Sequence, residues 1–79
     1  MQRQDTQEIA KHWDAGEAGC GHLAMGIARA LSTLREGELL QLTTRDAGAP
    51  IDVPAWCRLS GHSLISASHP NYIICKQGD

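Results

Sequence analysis

The 79-residue chain has no phenylalanine, and aromatic residues make up only 4% of it. A core must therefore come from Leu, Ile, Val and Ala, helped by Trp13, Trp56 and Tyr72. Cysteine is scarce and odd in number: Cys20, Cys57 and Cys75, with no CxxC spacing. That pattern argues against a disulfide framework and for reduced thiols. Cys20, His22, Cys57, His62 and Cys75 lack the paired local ligands of a structural zinc site, so no metal is expected. No apolar run approaches the roughly 20 residues of a membrane span. The start, "MQRQDTQEIAKHW", has no apolar signal-peptide centre, so the expectation is a cytoplasmic chain without direct membrane contact. Charge of one sign is missing too. The net charge is −2 and the seven Lys and Arg are scattered, so no strong nucleic-acid binding is expected.

What is present reads as one small domain. Residues 1–8 are polar and are expected to be flexible, with a single domain over 9–77. "EIAKHWDA" alternates, with Ile9, Lys11 and Trp13 on one face, and predicts a strand. "GEAG" is a loop. From Leu23 the period changes: Leu23, Ile27, Ala30, Leu31 and Leu34 recur at three- and four-residue steps. That is an amphipathic helix, expected to stop near Gly37. Gly26 lies at the edge of its apolar face, where a missing side chain lets the helix approach a sheet. Met25 points toward solvent or a partner, and Arg29 and Arg35 fall on the exposed side.

"ELLQLTT" predicts the second strand and "RDAGAP" a loop. "IDVPAWCRLSG" predicts a second helix with Asp52 as N-cap, Pro54 in the first turn and Gly61 at the end. Its apolar stripe is read as Ile51, Ala55, Trp56 and Leu59. "HSLISAS" and "YIICKQ", joined at "HPN", predict an antiparallel hairpin. The order β-α-β-α-β-β implies an α/β two-layer sandwich, a four-stranded mixed sheet with two helices on one face. The expected core is Leu23, Ile27, Leu31, Leu34, Leu40, Leu42, Ala55, Leu59, Ile65 and Ile73.

One stretch does not read as packing. In "GEAGCGHLAMGIARAL", Cys20 stands between Gly19 and Gly21, just ahead of the first helix. A core cysteine sits within an apolar run, whereas this one is surrounded by bare backbone. As N-cap, or one residue before it, Cys20 would face the unpaired N–H groups and positive end of the helix dipole. Such a setting favours thiolate and makes the sulfur nucleophilic near neutral pH. His22, when protonated, adds to this. Cys57 beside Trp56 reads as packing or surface, Cys75 as core, and His12 and His69 as surface or turn residues. Arg45 and Asp46 follow the second strand, where a β-α-β unit can bring them near the first helix's N-terminus.

Several separately spaced motifs agree with one family. They are Trp13-Asp14-Ala15, Cys20 six residues after Asp14, Gly37-Glu38, and Asp46 with Ala47. Ile51-Asp52-Val53-Pro54-Ala55-Trp56-Cys57, Gly61-His62 and Tyr72 to Lys76 follow in order. Over residues 9–77 the chain resembles the TusA/SirA family of small sulfur carriers. That resemblance implies that Cys20 takes sulfane sulfur as a persulfide and hands it to a partner protein. Asp14, Gly21, His22, Arg45 and Asp46 would support the site or bind partners. The donor would be a cysteine desulfurase or a rhodanese, the acceptor a second protein, and no cofactor is expected. The pathways would be tRNA thiolation, molybdenum-cofactor synthesis or sulfur oxidation. One departure stands out: the family's Cys-Pro-x-Pro is Cys20-Gly21-His22-Leu23 here. Three function classes stay open: a persulfide carrier or sulfurtransferase, a non-enzymatic protein-interaction module of the same fold, and a redox or metal-responsive thiol using Cys20 and His22.

Overall fold

The computed structural model describes residues 8–78. Six elements follow in the expected order: β1 (Ile9–Gly16), α1 (Cys20–Ser32), β2 (Leu39–Thr44), α2 (Ala49–Ser60), β3 (Ser63–Ser68) and β4 (Asn71–Cys75). The strands lie side by side as β1-β2-β4-β3. β1 and β2 are parallel, while β2–β4 and β3–β4 are antiparallel, so the sheet is mixed. Leu40, Leu42 and Thr44 of β2, with Tyr72 and Ile74 of β4, are buried on one face. Leu23, Ile27, Ala30 and Leu31 of α1 and Ala49, Val53 and Cys57 of α2 join the same apolar cluster. Both helices therefore cover one face. Each fully buried Leu or Ile there contributes about 1.5–3 kcal/mol. Among the described residues no helix is long and apolar enough to cross a membrane. The flexible segment expected at 1–8 falls, apart from Glu8, outside the described residues.

Trp13 packs against the core from β1, and Gly26 makes room for it. A Cβ on Gly26 would land within 3.0 Å of three Trp13 ring atoms. Met25 is exposed, as the sequence predicts.

Three features of the helices differ from expectation. α1 stops at Ser32, five residues before Gly37. The hydroxyls of Ser32 and Thr33 donate to the carbonyls of Arg29 and Ala30 at 2.7 and 2.8 Å, and such local bonds compete with continued helix. The Lys76 ammonium completes the end, donating to the Leu31 and Leu34 carbonyls at 3.0 Å each. Lys76 is buried, and a cation is favoured at a helix C-terminus. Gly37, at φ +90°, instead serves the turn into β2.

α2 begins at Ala49, earlier than Asp52, because Asp46 prepares its start. Its carboxylate accepts from Gly48 N–H at 3.1 Å, and its carbonyl from Ala49 N–H at 3.1 Å. Asp52 sits in the first turn, where an acid suits the dipole, and Pro54 lies inside the helix. Gly61 ends it with φ +87°, as predicted.

The third difference is which face of α2 is inward. The buried stripe is Ala49, Val53 and Cys57, two residues out of step with the expected one. Two residues turn a helix by about 200°, so Ile51 and Leu59 point outward, 77% and 88% exposed. Small inward side chains let α2 lie close on the sheet, which the large ones would prevent. Ala55 and Trp56 are half-buried. In β3 a register shift between Leu64 and Ser66 turns Leu64 inward and leaves Ile65 exposed. In β4 the inward residues are Tyr72 and Ile74, with Lys76 beyond, so Ile73 is only half-buried on the opposite face. Leu34 is also half-buried, against the core.

Candidate functional site

Parallel pairing puts the C-terminal ends of β1 and β2 side by side, with Asp14 opposite Thr43 and Gly16 opposite Thr44. The chain leaves β1 at Gly16 to start α1, and leaves β2 at Arg45 to start α2. Both helix N-termini therefore rise from one edge of the sheet. The β3–β4 turn reaches the same edge, where Thr44 N–H donates to the Pro70 carbonyl at 2.8 Å.

Gly16 is the pivot of this edge. At φ +60° it occupies the left-handed region that favours glycine. The Asp14 carboxylate accepts its N–H at 2.8 Å. Its carbonyl accepts from Arg45 N–H at 2.7 Å. The Arg45 guanidinium reaches over it, 3.7 Å from where a Cβ would stand. Asp14 and Arg45 thus fix the point from which the chain turns toward Cys20. Sequence reasoning missed Gly16, although Asp14-Ala15-Gly16 has the spacing by which an aspartate bonds the N–H two residues on.

Cys20 is the first residue of α1, and Gly19, at φ −78° and ψ 180°, is its N-cap. The expectation placed Cys20 at the cap or before it, one position too early. The physical reason lies in Gly21. A proline there would bias residue 20 out of the helical region; glycine imposes no such restriction, so the helix extends back by one residue. The first helical hydrogen bond closes from Leu23 N–H to the Gly19 carbonyl at 2.7 Å. The N–H groups of the preceding residues have no partner within the helix. No acidic residue lies in the first turn, so nothing there offsets the positive end of the dipole. Cβ atoms added to Gly19 or Gly21 would meet nothing within 4 Å, and Gly21 and His22 are exposed. The approach along this turn is open.

The Asp46 carboxylate serves the start of α2. The other two thiols are held elsewhere. Cys57 is 3% exposed, and burial pushes its thiol up to about 11, so it stays protonated. Half-buried Cys75 directs its S–H toward the Lys76 carbonyl at 3.8 Å. No group of three or more His, Cys, Asp or Glu side chains able to hold a metal ion occurs among the described residues. His62 accepts from Gln77 N–H through Nδ1 at 3.0 Å and stacks on Trp56, a packing arrangement.

Curated proteins share part of this chain, two of them from Neisseria meningitidis. A protein of Neisseria meningitidis serogroup A, named "Putative sulfur carrier protein", is 42% identical over 46 residues. Its namesake from serogroup B shows the same identity over the same length. Each match takes in 58% of this chain and 62% of the relative, so the chain spans under two thirds of their length. The family described as sulfurtransferase TusA matches residues 14–75, from the aspartate that holds Gly16 to the last residue of β4. With most of the sequence covered and the β-α-β-α-β-β sheet in place, the chain belongs to the TusA sulfurtransferase family.

Proposed function

We propose that the protein is a sulfur carrier and that Cys20 is the atom-bearing residue. The observation that supports this most is the place of Cys20: first residue of α1, within the matched span, at a helix end with no acid in its first turn. There the thiolate is favoured over the thiol. The Cys20 thiolate attacks the outer sulfur of a donor persulfide. A new S–S bond forms at Cys20 while the donor's S–S bond breaks, and the donor leaves as thiolate. Delivery reverses the step toward an acceptor protein's nucleophile, returning Cys20 to thiolate. No net oxidant is needed, because the sulfane sulfur carries its own oxidation level. Asp14 and Arg45 act as positioning residues through Gly16. Gly21 and His22 provide the open first turn against which a partner closes. The donor is a cysteine desulfurase or a rhodanese.

Incubation with such a donor and a sulfur source should add one sulfur atom, about 32 Da, to the chain. The addition should vanish with dithiothreitol and be absent in Cys20→Ser. Gly21→Pro should return Cys20 to the N-cap and leave loading intact or faster, since the Gly21 N–H has no helical partner to lose. If neither wild type nor Gly21→Pro loads from any donor while Cys20 still alkylates quickly, the carrier reading fails.

A further inference from the structure

The C-terminal ends of α1 and α2 leave a polar hollow of about 360 Å³ between them, lined by Leu31, Ser32, Ser60, His62, Lys76 and Gln77 among others. It lies a helix length from Cys20, about 18 Å along α1. No carboxylate of the described residues lines it, yet a lysine does: Lys76, only 6% exposed. An ammonium has three N–H donors. Two go to the Leu31 and Leu34 carbonyls, and among the described residues nothing accepts the third. Leu31 lines the hollow as well, so the ammonium stands at its wall. A buried donor without an acceptor is costly, and this one borders space that a ligand can fill. His62 presents a second free donor. Its Nδ1 accepts from Gln77 N–H at 3.0 Å, which puts the proton of the neutral ring on Nε2. Among the described residues that proton has no acceptor.

The rest of the lining indicates which anion fits. The Ser32 hydroxyl gives its hydrogen to the Arg29 carbonyl at 2.7 Å, and the Ser60 hydroxyl turns its own toward the Cys57 carbonyl at 3.4 Å. These helix-end carbonyls, which would repel an anion, are thereby engaged, and the two serine oxygens present lone pairs. The end of α1 carries about half a negative charge, less than the full positive charge that Lys76 brings. Burial, and then the charge of Lys76, lower the pKa of His62, so the two groups are near enough to share one ligand. The hollow thus offers two donors beside two acceptors. Sulfate and carboxylates only accept, and they leave the serine oxygens unmatched. Hydrogen phosphate matches both sets: its charged oxygens accept from Lys76 Nζ and His62 Nε2, and its P–OH donates to a serine oxygen. We propose that this hollow binds a hydrogen phosphate group, free or as a monoester, held by Lys76 and His62 with Ser32 and Ser60. A site so open and with so few contacts should have a dissociation constant on the order of 1–10 mM.

Titration of the full chain with inorganic phosphate, at constant pH and ionic strength, tests this by nuclear magnetic resonance. The Cε1–H signal of His62 and the N–H signal of Gln77 should shift and saturate, while His12, His22 and His69 stay in place. Sulfate should bind about tenfold more weakly, because it has no hydrogen to give the serines. Bound phosphate should raise the His62 pKa, since an anion favours the charged ring. His62→Gln and Lys76→Met should each weaken binding about tenfold or more. Lys76→Met also loses the cap of α1, so Ser60→Asp gives a test that does not remove it. Ser60 is exposed, and a carboxylate there should raise the His62 pKa with no phosphate added and abolish the phosphate response. Glycerol 3-phosphate binding as tightly as the free ion assigns the site to a phosphate group of a larger molecule; response to the free ion alone assigns it to the ion. The proposal is overturned by a His62 signal that never saturates, by equal responses to phosphate and sulfate, by shifts shared among all four histidines, or by Ser60→Asp binding phosphate like wild type.

Discussion

Replacing Gly26 by alanine isolates the contact that seats α1 on β1. In an exposed helix the change is favourable by about 1 kcal/mol, because glycine carries more backbone freedom to lose. Here the new methyl falls within 3.0 Å of three Trp13 ring atoms, nearer than unbonded carbons approach. The indole is rigid and packed on the core, so the strain falls on the helix or on the ring's seat. Such overpacking costs about 1–3 kcal/mol. The net expectation is a loss of about 1–2 kcal/mol, visible as a urea midpoint lower by roughly 1 M in a domain this small. In a Trp13→Val background the ring is gone and the sign should reverse, with Gly26→Ala stabilising by up to about 1 kcal/mol. The coupling between the two sites is then about 2–3 kcal/mol, well above what independent sites show. Urea unfolding followed by far-UV circular dichroism on the four proteins measures it. Gly26→Ala as stable as wild type, with Trp13 present, would refute the close approach.

The remaining expectations concern thiols and protons. Brief iodoacetamide treatment followed by peptide mapping should label Cys20 first, whereas Cys57, with its thiol at about 11, should stay unlabelled until the chain is unfolded; equal labelling of both refutes the assignment. Burial, and then the charge of Lys76, lower the pKa of His62 from its ordinary 6.5, so the native state favours the neutral ring that accepts from Gln77 N–H. A lowered folded pKa means that this contribution is full above pH 6.5 and is lost as the pH falls through that value toward the folded one. Urea midpoints should drop across that window, and His62→Gln should flatten the drop; an unchanged acid slope in the variant rules His62 out as its source.

Much of the architecture was legible because the hydrophobic period changes cleanly at each boundary. The alternation through Trp13 and the three- and four-residue steps from Leu23 to Leu31 lead to β1 and α1 as they stand. The orientation of α2 was hidden. Its core stripe of Ala49, Val53 and Cys57 is small, while the outward Ile51 and Leu59 are the residues that look like core, so hydrophobicity pointed to the wrong side. Its start was hidden as well, since the aspartate that prepares it, Asp46, sits in the loop ahead and not at the expected cap. Ile65 and Ile73 were misplaced for a different reason. Parity in a strand depends on bulges and on distant partners: the shift beside Leu64 sets the first, and the inward reach of Lys76 sets the second. Cys20 stands out in the sequence by its two glycine neighbours. Its exact rank in the helix depended on what Gly21 permits, which only the folded backbone displays.

The grip of Lys76 on α1 has a consequence for how the chain is made. Its two carbonyl partners lie 45 and 42 residues upstream, and β4, which carries it to them, also fills the second edge of β2. A ribosome that has released β1, α1 and β2 has therefore released a half-built sheet, with one edge of β2 still unpaired and the end of α1 still unfinished. That half lacks the residue that completes the first helix, because Lys76 is translated with the last strand. Synthesis and folding are thus coupled through β4: within this domain the end of α1 is completed only when the last strand has been made.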